Sequence, residues 1–456
     1  MKNILIVSSS DFPSNSSVHV HYFANELVKL GLDCVVAVPH DKSTIYTLKG
    51  NLYSVTQYSE IENIRDLFAN HSPPDLVHAW TPREHVRNYC YALSIKYEFK
   101  LVIHLEDNEE SVTERFLNVP LENWSTEYDD LVPYNLSHPV KYKKFMETAD
   151  GVTVIIDKLA EFAPSSASTI TLYPGVDKEE FYPQPKNANL LKSLGIENDT
   201  TILCYTGNVH PANIDEVRCL YLAVGKRNQA GKPTVLLRTG IDNNLQFLDK
   251  DQLWVKKYVI ELGWINRKKI PKILALADVL VQPGRSDEFN DYRFPSKIPE
   301  FLAMGKPVII PDTNIGKVLI HEENALILES VDENSLPLMI DFVVENPHLS
   351  HTLAENALKF VDKNLNWANS GHKLYSFYKN LFAEEKLPTA LRNAMARTQL
   401  YYQDFKNVLE ELEVEIKSIR ASNQELELEI KSMKTSKFWK AREQWFKVKG
   451  ALPSLR

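Results

Sequence analysis

The sequence predicts an α/β protein in which two Rossmann-like domains face a cleft and a C-terminal α-helical coiled coil follows them. Three observations predict this fold class. Short apolar strands alternate with helical stretches, a proline-rich junction at 173–185 divides the alternation into two series, and a heptad pattern follows residue 385. Repeated β-α-β units are typical of doubly wound, mostly parallel sheets. The expected regions are a first domain at 1–183, a second at 184–366, the coiled coil at 385–434 and a basic aromatic tail at 435–456.

Net charge, apolar runs and cysteine spacing argue against several classes of protein. The 456 residues carry a formal net charge of −8, which argues against nucleic acid as a partner because such proteins normally present a basic face. The chain starts directly with a short strand, without the longer apolar run of a signal peptide, and no stretch of ~18 apolar residues predicts a membrane span. We therefore expect a cytoplasmic protein. Four scattered cysteines are expected to be small core residues in a reducing compartment: Cys34, Cys90, Cys204 and Cys219.

The first series begins with a strand at 4–7, a polar loop, a helical pattern at 18–30 that Gly31 ends, and a strand at 34–38. A βαβ start of this kind is expected of a Rossmann-like domain. The remaining strands of the series are expected at 76–80, 101–104, 152–156 and 170–172. Residues 108–140 lack a clean period and are interpreted as an excursion at the edge of the cleft.

The second series begins with a strand at 201–207, and the segment 278–312 organises it. This segment predicts a buried strand at 279–282, a polar loop, a short helix that opens at Ser296, a Gly-Lys-Pro stop and a second strand at 308–310. A parallel sheet places such a loop and helix start at the carboxyl edge of its strands, where an anion is favoured. The same mouth is expected to hold Ser296 as the N-cap, Lys297 as a positive charge and Glu300 one turn into the helix.

The run Pro295-Ser296-Lys297, followed by 299–308 (PEFLAMGKPV), resembles the donor-binding segment of retaining, family-four-like glycosyltransferases with the GT-B fold, the glycosyl transferases group 1. The resemblance covers residues 1–383. It implies that 367–383 crosses back onto the first domain, and that a nucleotide-sugar donor binds as a substrate, with no separate cofactor and no metal.

The resemblance also implies roles for individual residues on the second domain. Glu300 is expected to bind the donor ribose, and Ser296, Lys297 and Gly207 the diphosphate. Gly263 and Trp264 follow a strand end where the nucleobase would meet the backbone, although a core tryptophan is an alternative.

The sequence departs from the family pattern at three positions of this site. Tyr292 stands where relatives have a first glutamate, and neutral Asn208 and Asn213 stand where they have an Arg and a Lys. Arg238 and Arg293 are therefore expected to replace the missing charge, with Arg285 as a further source. Asn290 or Asp291 is expected to serve at the reacting sugar.

On the first domain, Ser16 and Ser17 stand where the family commonly has a glycine pair under the diphosphate. Glu106 takes the place of a family histidine and Asp107 that of an aspartate, and both are expected to orient the sugar or the acceptor. The leaving phosphate itself is the expected base. Asp249-Lys-Asp251 matches a metal-binding Asp-x-Asp formally, but it is interpreted as a solvated loop.

The C-terminal region follows a heptad seam, with Asn423 alone at a core position of the seam. A single such asparagine favours a parallel two-stranded coiled coil, so a homodimer through 402–433 is expected. Basic and aromatic residues at 434–449 predict peripheral contact with the cytoplasmic face of a membrane. Packing of these aromatics on a partner protein or on the coiled coil is the alternative.

Together these features predict a glycosyltransferase that moves a sugar, with retention, from a nucleotide-sugar to a glycan or lipid-linked saccharide. Three alternatives stay open. One is a noncatalytic scaffold that dimerises through its coiled coil, and the second is a sugar-nucleotide epimerase on the same fold. The third is a glycogen-phosphorylase-like enzyme, for which the sequence offers no recognisable pyridoxal lysine segment.

Overall fold

The computed structural model describes residues 1–211, 213–242 and 246–383, together with Lys417, Arg420, Asn423, Leu426, Glu427 and Ile430. The chain divides into two compact units, Met1–Arg392 and Asn393–Arg456. In the second unit, the six described residues are helical and exposed. The remainder of the predicted coiled coil at 385–434 and the whole tail at 435–456 lie outside the described residues. The predicted homodimer and membrane contact therefore stay predictions.

Seven parallel strands form the first sheet: β1 Asn3–Val7, β2 Asp33–Val38, β3 Ser54–Gln57, β4 Leu76–Trp80, β5 Lys100–Leu105, β6 Gly151–Val154 and β7 Ser168–Thr171. Their order is β3-β2-β1-β4-β5-β6-β7. All five residues of β1 are buried, as expected for a central parallel strand covered on both faces. The associated helices are α1 Asn15–Lys29, α2 Glu84–Lys96, α3 Glu109–Leu117 and α4 Lys141–Met146.

The second sheet has six parallel strands: β8 Thr201–Thr206, β9 Thr234–Thr239, β10 Val259–Glu261, β11 Val279–Val281, β13 Val308–Pro311 and β14 Leu326–Leu328. Their order is β10-β9-β8-β11-β13-β14, and β12 Gly284–Arg285 pairs separately with β15 Ser330–Val331. Its helices are α5 Ala188–Ser193, α6 Ile214–Gln229, α7 Ile270–Leu274, α8 Ile298–Ala303, α9 Ser335–Val344 and α10 Pro347–Asn364.

The strand order reverses beside β1 in the first sheet and beside β8 in the second. In open α/β sheets, ligands bind in the crevice at the carboxyl ends of the strands where this reversal occurs. In the second sheet the crevice lies between β8 and β11, so the loops that follow these two strands flank it. These loops contain five of the candidate residues, namely Gly207, Asn290, Arg293, Ser296 and Lys297.

Helix α11, Trp367–Ala383, follows the second sheet in the chain but packs on the first. The indole of Trp367 stacks on the ring of Tyr22 from α1, with centroids 4.6 Å apart. Near the other end, the Tyr378 hydroxyl lies 2.7 Å from Nδ1 of the buried His78 in β4. Helix α11 therefore fastens the end of this unit to its first sheet.

Two local expectations differ from the structure. The excursion at 108–140 begins with helix α3, which the Asn108 side chain caps by accepting from the Ser111 N–H at 3.1 Å. The other difference concerns helix α8, which begins at Ile298. Lys297 occupies its N-cap position, and no side chain caps the helix. The expectation that Ser296 caps this helix is therefore wrong, because a turn closed by the Ile298 N–H and the Pro295 carbonyl at 3.0 Å precedes it.

Candidate functional site

The loop after β8 lies directly against the lysine at the start of α8. A Cβ at Gly207 would lie 2.5 Å from Lys297 Nζ and 2.7 Å from the Tyr205 hydroxyl. The same ammonium lies 4.3 Å from the centroid of the Tyr205 ring, a distance at which a cation interacts favourably with an aromatic face. The absence of a side chain at position 207 therefore allows Lys297 to place its charge at the carboxyl edge of the second sheet.

The two asparagines of this loop bond to backbone groups, Asn213 within the loop and Asn208 in the loop after β9. Asn213 is buried, its Oδ1 accepts from the His210 N–H at 2.8 Å, and its Nδ2 donates to the Asn208 carbonyl at 2.9 Å. Asn208 Oδ1 accepts in turn from the Ile241 N–H at 2.9 Å. At these two positions, where the resembling family has cations, the side chains fix the loop instead.

Glu300 is held beside an arginine from another segment. Its Oε1 lies 2.8 Å from Nη2 of Arg267. The Glu300 side chain is 12% exposed, whereas that of Arg267 is 58% exposed. Burial raises the pKa of Glu300, and the charges of Arg267 and Lys297 oppose that increase. A buried carboxylate next to the Lys297 charge can accept hydrogen bonds from hydroxyl groups of a ligand.

Arg293 is oriented by a buried asparagine. Asn290 Oδ1 accepts from NH2 of Arg293 at 2.6 Å, while Asn290 Nδ2 donates to Glu216 Oε1 at 2.8 Å. The guanidinium lies 4.3 Å from the centroid of the Phe289 ring, and burial lowers the pKa of Arg293. Its buried Nε has no hydrogen-bond partner among the described residues. Arg293 therefore keeps one buried donor that the described residues leave unsatisfied.

Asn290 is tightly held by its neighbours. The residue is 3% exposed, and its amide is already bonded to Arg293, to Glu216 and, at 3.3 Å, to Asp287. Its expected role at the reacting sugar stays a prediction.

Asp291 and Tyr292 face the first domain. The Asp291 carboxylate lies 3.0 Å from Nζ of Lys158, and the Tyr292 hydroxyl donates to Glu161. The Tyr292 ring also lies 5.4 Å from that of Phe162. Residues 290–292 therefore form a three-residue 3-10 turn that contacts Arg293 on one side and the segment Asp157–Phe162 on the other.

On the first domain, Glu106 is a fixed anion. Its Oε1 accepts from His19 Nδ1 and Trp80 Nε1, each at 2.9 Å, and its Oε2 accepts from the Ser16 hydroxyl. Burial would raise the pKa of Glu106, but the hydrogen bond and charge of His19, with His104 and Ser16, lower it to about 2. Glu106 is thus positioned to orient Ser16 and His19 rather than to exchange a proton near neutral pH.

Asp107, unlike Glu106, has a raised pKa. Its Oδ2 lies 3.7 Å from NH2 of Arg83. Burial and the neighbouring Glu109 raise the pKa of Asp107 to about 6, against the charges of Arg83 and Arg293. Arg293 belongs to the second domain, so a charge from that domain lowers the pKa of a carboxyl group on the first.

Ser17 bonds through its hydroxyl to the loop that precedes α1. It is fully buried, and its hydroxyl donates to the carbonyls of Ser10 and Asp11, each at 3.0 Å. The neighbouring Ser16, whose hydroxyl contacts Glu106, lies closer to the other candidate residues.

Three further candidates lie toward the β10 edge. Trp264 is 74% exposed, so the alternative of a core tryptophan is wrong. Gly263 adopts a left-handed φ of 65°, which favours glycine, and its carbonyl accepts from the Gly240 N–H at 2.7 Å. Arg238 is 2% exposed and lies 3.8 Å from Glu261. The structure therefore brings Gly207, Arg293, Lys297 and Glu300 together, and it places Arg238 beneath α6 with other partners.

Asp249 is the N-cap of the 3-10 segment Lys250–Tyr258, and its side chain takes part in a capping box with Gln252. Across the described ranges, no group of three or more His, Cys, Asp or Glu side chains is arranged to hold a metal ion. No helix in those ranges is both long and apolar enough to cross a membrane.

Three neighbours of the site carried no recognisable sequence signal. They are His210, Glu216 and Arg267. Glu216 resembles any acidic residue in the first turn of a helix, and Arg267 belongs to an ordinary basic surface run. His210 follows a strand end like many loop residues. Only the tertiary contacts distinguish them.

Residues 200–346 match the family described as glycosyl transferases group 1. The matched segment extends from β8 through α9. A curated relative from Methanocaldococcus jannaschii, named an uncharacterized glycosyltransferase, is 22% identical over 253 residues, covering 53% of this chain and 63% of the relative. The chitobiosyldiphosphodolichol beta-mannosyltransferase of Candida albicans is 25% identical over 268 residues, covering 53% and 57%. The chain thus spans less than two thirds of either relative.

Solved structures confirm the two-domain part of the predicted fold class, and the coiled coil stays a prediction. HepE of Anabaena, in complex with UDP and glucose, superposes with a TM-score of 0.61 at 14% identity, over 83% of this chain and 100% of that one. Sucrose-phosphate synthase of Thermosynechococcus elongatus superposes with a TM-score of 0.58 at 18% identity, over 84% and 100%. The two Rossmann-like domains therefore have the GT-B arrangement.

Proposed function

We propose that the protein is a retaining, metal-independent glycosyltransferase that moves a hexosyl group from a nucleotide-sugar to a glycan or lipid-linked saccharide. The observation that carries the proposal is the Lys297 ammonium, held against Gly207 and over the Tyr205 ring. Its charge acts together with that of Arg293 on the loop after β8. Two cations at the carboxyl edge of a parallel sheet suit the diphosphate of a departing nucleotide.

The donor is proposed to lie along this edge. Lys297 and Arg293 bind its diphosphate, and Glu300 accepts hydrogen bonds from the ribose hydroxyls. The nucleobase lies near the backbone of Gly263, with the exposed Trp264 ring available for stacking. Ser296, exposed at the turn before α8, borders the phosphates.

In the proposed reaction, the bond between the anomeric carbon and the diphosphate oxygen breaks while the acceptor oxygen bonds to the same face of the sugar. The acceptor proton passes to the departing phosphate. Lys297 and Arg293 stabilise the charge that develops on the leaving group, which is the largest electrostatic contribution expected of such a site. Asp107 accepts a hydrogen bond from the acceptor, and Asn290 contributes by holding Arg293.

The names of similar proteins support the choice of substrates. A structural neighbour was crystallised in complex with UDP-glucose, which makes UDP-glucose the first donor to test. The relative from Candida albicans is by name a mannosyltransferase of a diphosphodolichol-linked chitobiose, which supports a lipid-linked saccharide as the acceptor.

The proposal is tested by incubating the protein with UDP-glucose and a panel of other nucleotide-sugars, with and without saccharide acceptors. We expect release of nucleoside diphosphate that depends on the acceptor and is unchanged by a chelator, and a product whose anomeric configuration equals that of the donor by NMR. An inverted product contradicts retention, and a donor altered without any acceptor indicates the epimerase.

A noncatalytic scaffold is the second candidate, and one observation favours it. Tyr292, at the place of the family's first glutamate, carries no carboxylate, and its hydroxyl donates to Glu161 of the first domain. A scaffold would show no turnover with any donor. A chain ending near residue 384 would be monomeric while the full chain is dimeric, if the proposed coiled coil at 402–433 is the oligomer interface.

A further inference from the structure

We propose that His210 is a third cationic contact for the donor diphosphate, and that it takes up a proton when the diphosphate binds. The inference rests on the proposed function and adds a residue that neither the sequence motif nor the comparisons assign. It also supplies a positive charge on the loop where Asn208 and Asn213 are neutral.

The loop after β8 fixes the place of His210. Its N–H donates to Asn213 Oδ1 at 2.8 Å, and the preceding Val209 N–H donates to the Ile241 carbonyl at 2.8 Å. Val209 and Asn213 are both buried. His210 therefore stands on a braced turn at the crevice between β8 and β11, three residues beyond the glycine that contacts Lys297.

The imidazole itself is half-buried, and among the described residues no side chain or backbone group forms a hydrogen bond with it. The charged groups that act on it are Arg293, from the loop before α8, and Lys297, at the start of α8. Its own loop offers Asn208 and Asn213, which are neutral. An imidazole that has no hydrogen-bond partner among the described residues, and that feels the charges of two cations, is suited to an anionic ligand.

The electrostatics give the direction of the proton movement. Burial, followed by the charges of Arg293 and Lys297, lowers the pKa of His210 below its usual value. A diphosphate bound between these groups would neutralise the two cations and add negative charge next to the ring, and both changes raise the pKa of a histidine. Binding should therefore be coupled to protonation of His210 at neutral pH.

Isothermal titration calorimetry with UDP-glucose, GDP-mannose and related nucleotide-sugars tests the proposal. Their diphosphates are esterified at both ends and do not titrate near pH 7. Titrations of the full-length protein in buffers with different ionisation enthalpies therefore report proton uptake by the protein alone. We expect the wild type to take up a fraction of one proton per donor at pH 7, and to bind more weakly as the pH rises to 8.5.

The variant His210→Gln retains a polar side chain but cannot become charged. We expect it to bind the donor roughly tenfold more weakly at pH 6.5, the range of a hydrogen bond to a charged group, without proton uptake and with little pH dependence. His348→Gln, at an exposed site on α10, is the control and should behave like the wild type.

The outcomes are distinguishable. Donor binding with the same proton uptake in the wild type and in His210→Gln, or without uptake in either, overturns the role of His210 and leaves the proposed function standing. If no nucleotide-sugar binds the wild type, the proposed function and the role of His210 both fail.

Discussion

The Lys158 ammonium lies 3.0 Å from the Asp291 carboxylate, and this ion pair joins the first sheet domain to the loop that orients Arg293. Lys158 Nζ also lies 4.4 Å from the centroid of the Tyr292 ring. Asn290, in the same turn, binds Arg293 at 2.6 Å. A contact between the domains and a candidate donor-binding arginine therefore share one short segment.

We predict that Lys158→Ala weakens nucleotide-sugar binding without a large loss of stability. The pair is partly exposed, with side-chain exposures of 43% and 17%, and such pairs contribute about 0–1 kcal/mol. Binding should therefore weaken by no more than about fivefold, and less at high salt. Calorimetric Kd values at two salt concentrations measure this effect.

The control for that experiment is Lys143→Ala, which removes an ion pair with Glu110 inside the first domain. Equal losses of donor affinity in both variants would show that the interdomain contact has no special connection with the site.

Lys297→Met should weaken the binding of nucleoside diphosphates much more than that of nucleosides. Methionine keeps the apolar stem over Tyr205 but removes the charge that a phosphate would contact. A hydrogen bond to a charged group contributes about 1.5–3 kcal/mol, so roughly a tenfold or larger loss is expected for UDP and little change for uridine. Lys268→Met, at an exposed position of the neighbouring segment, is the matched control. Equal losses for UDP and uridine would remove Lys297 from the phosphate site.

The sequence predicted the parallel sheets and the proximity of Lys297 to the strand end, because apolar strands and the βαβ rule are encoded locally. It did not predict that Arg267 pairs with Glu300, since no local pattern links these two segments. Nor did it predict that Asn290 bonds both Glu216 and Arg293, since these contacts also join distant segments. Ser296 does not cap α8, because the Ile298 N–H already donates to the Pro295 carbonyl in the turn before the helix.

Glu300→Gln should remove the preference of the protein for an intact ribose. The wild type is expected to bind UDP about tenfold or more tightly than 2′,3′-dideoxy-UDP, as charged hydrogen bonds to a diol imply. The variant should bind the two nucleotides almost equally. Its thermal unfolding should change little, because Arg267 is 58% exposed and its unpaired charge stays hydrated.

Glu323→Gln, on an exposed loop of the same domain, controls for the loss of one negative charge. If Glu300→Gln keeps the wild-type preference for the ribose, or unfolds at a much lower temperature, Glu300 belongs to the framework and not to the donor site.

Transfer should require the ionised form of Asp107. Because the pKa of Asp107 is raised to about 6 by burial and by Glu109, kcat/KM should fall as the pH drops below about 6 and reach a plateau above it. Asp107→Asn should reduce kcat/KM and remove this step from the pH profile. Because the folded-state pKa lies above the unfolded-state value of about 4, ionisation of Asp107 lowers the stability as the pH rises from about 4 to 6 and keeps it lowered above pH 6. The variant should therefore unfold at no lower temperature than the wild type at pH 7. A profile for Asp107→Asn that keeps the step near pH 6 would assign the titration to another group, and a marked loss of stability at pH 7 would show that the carboxylate supports the fold.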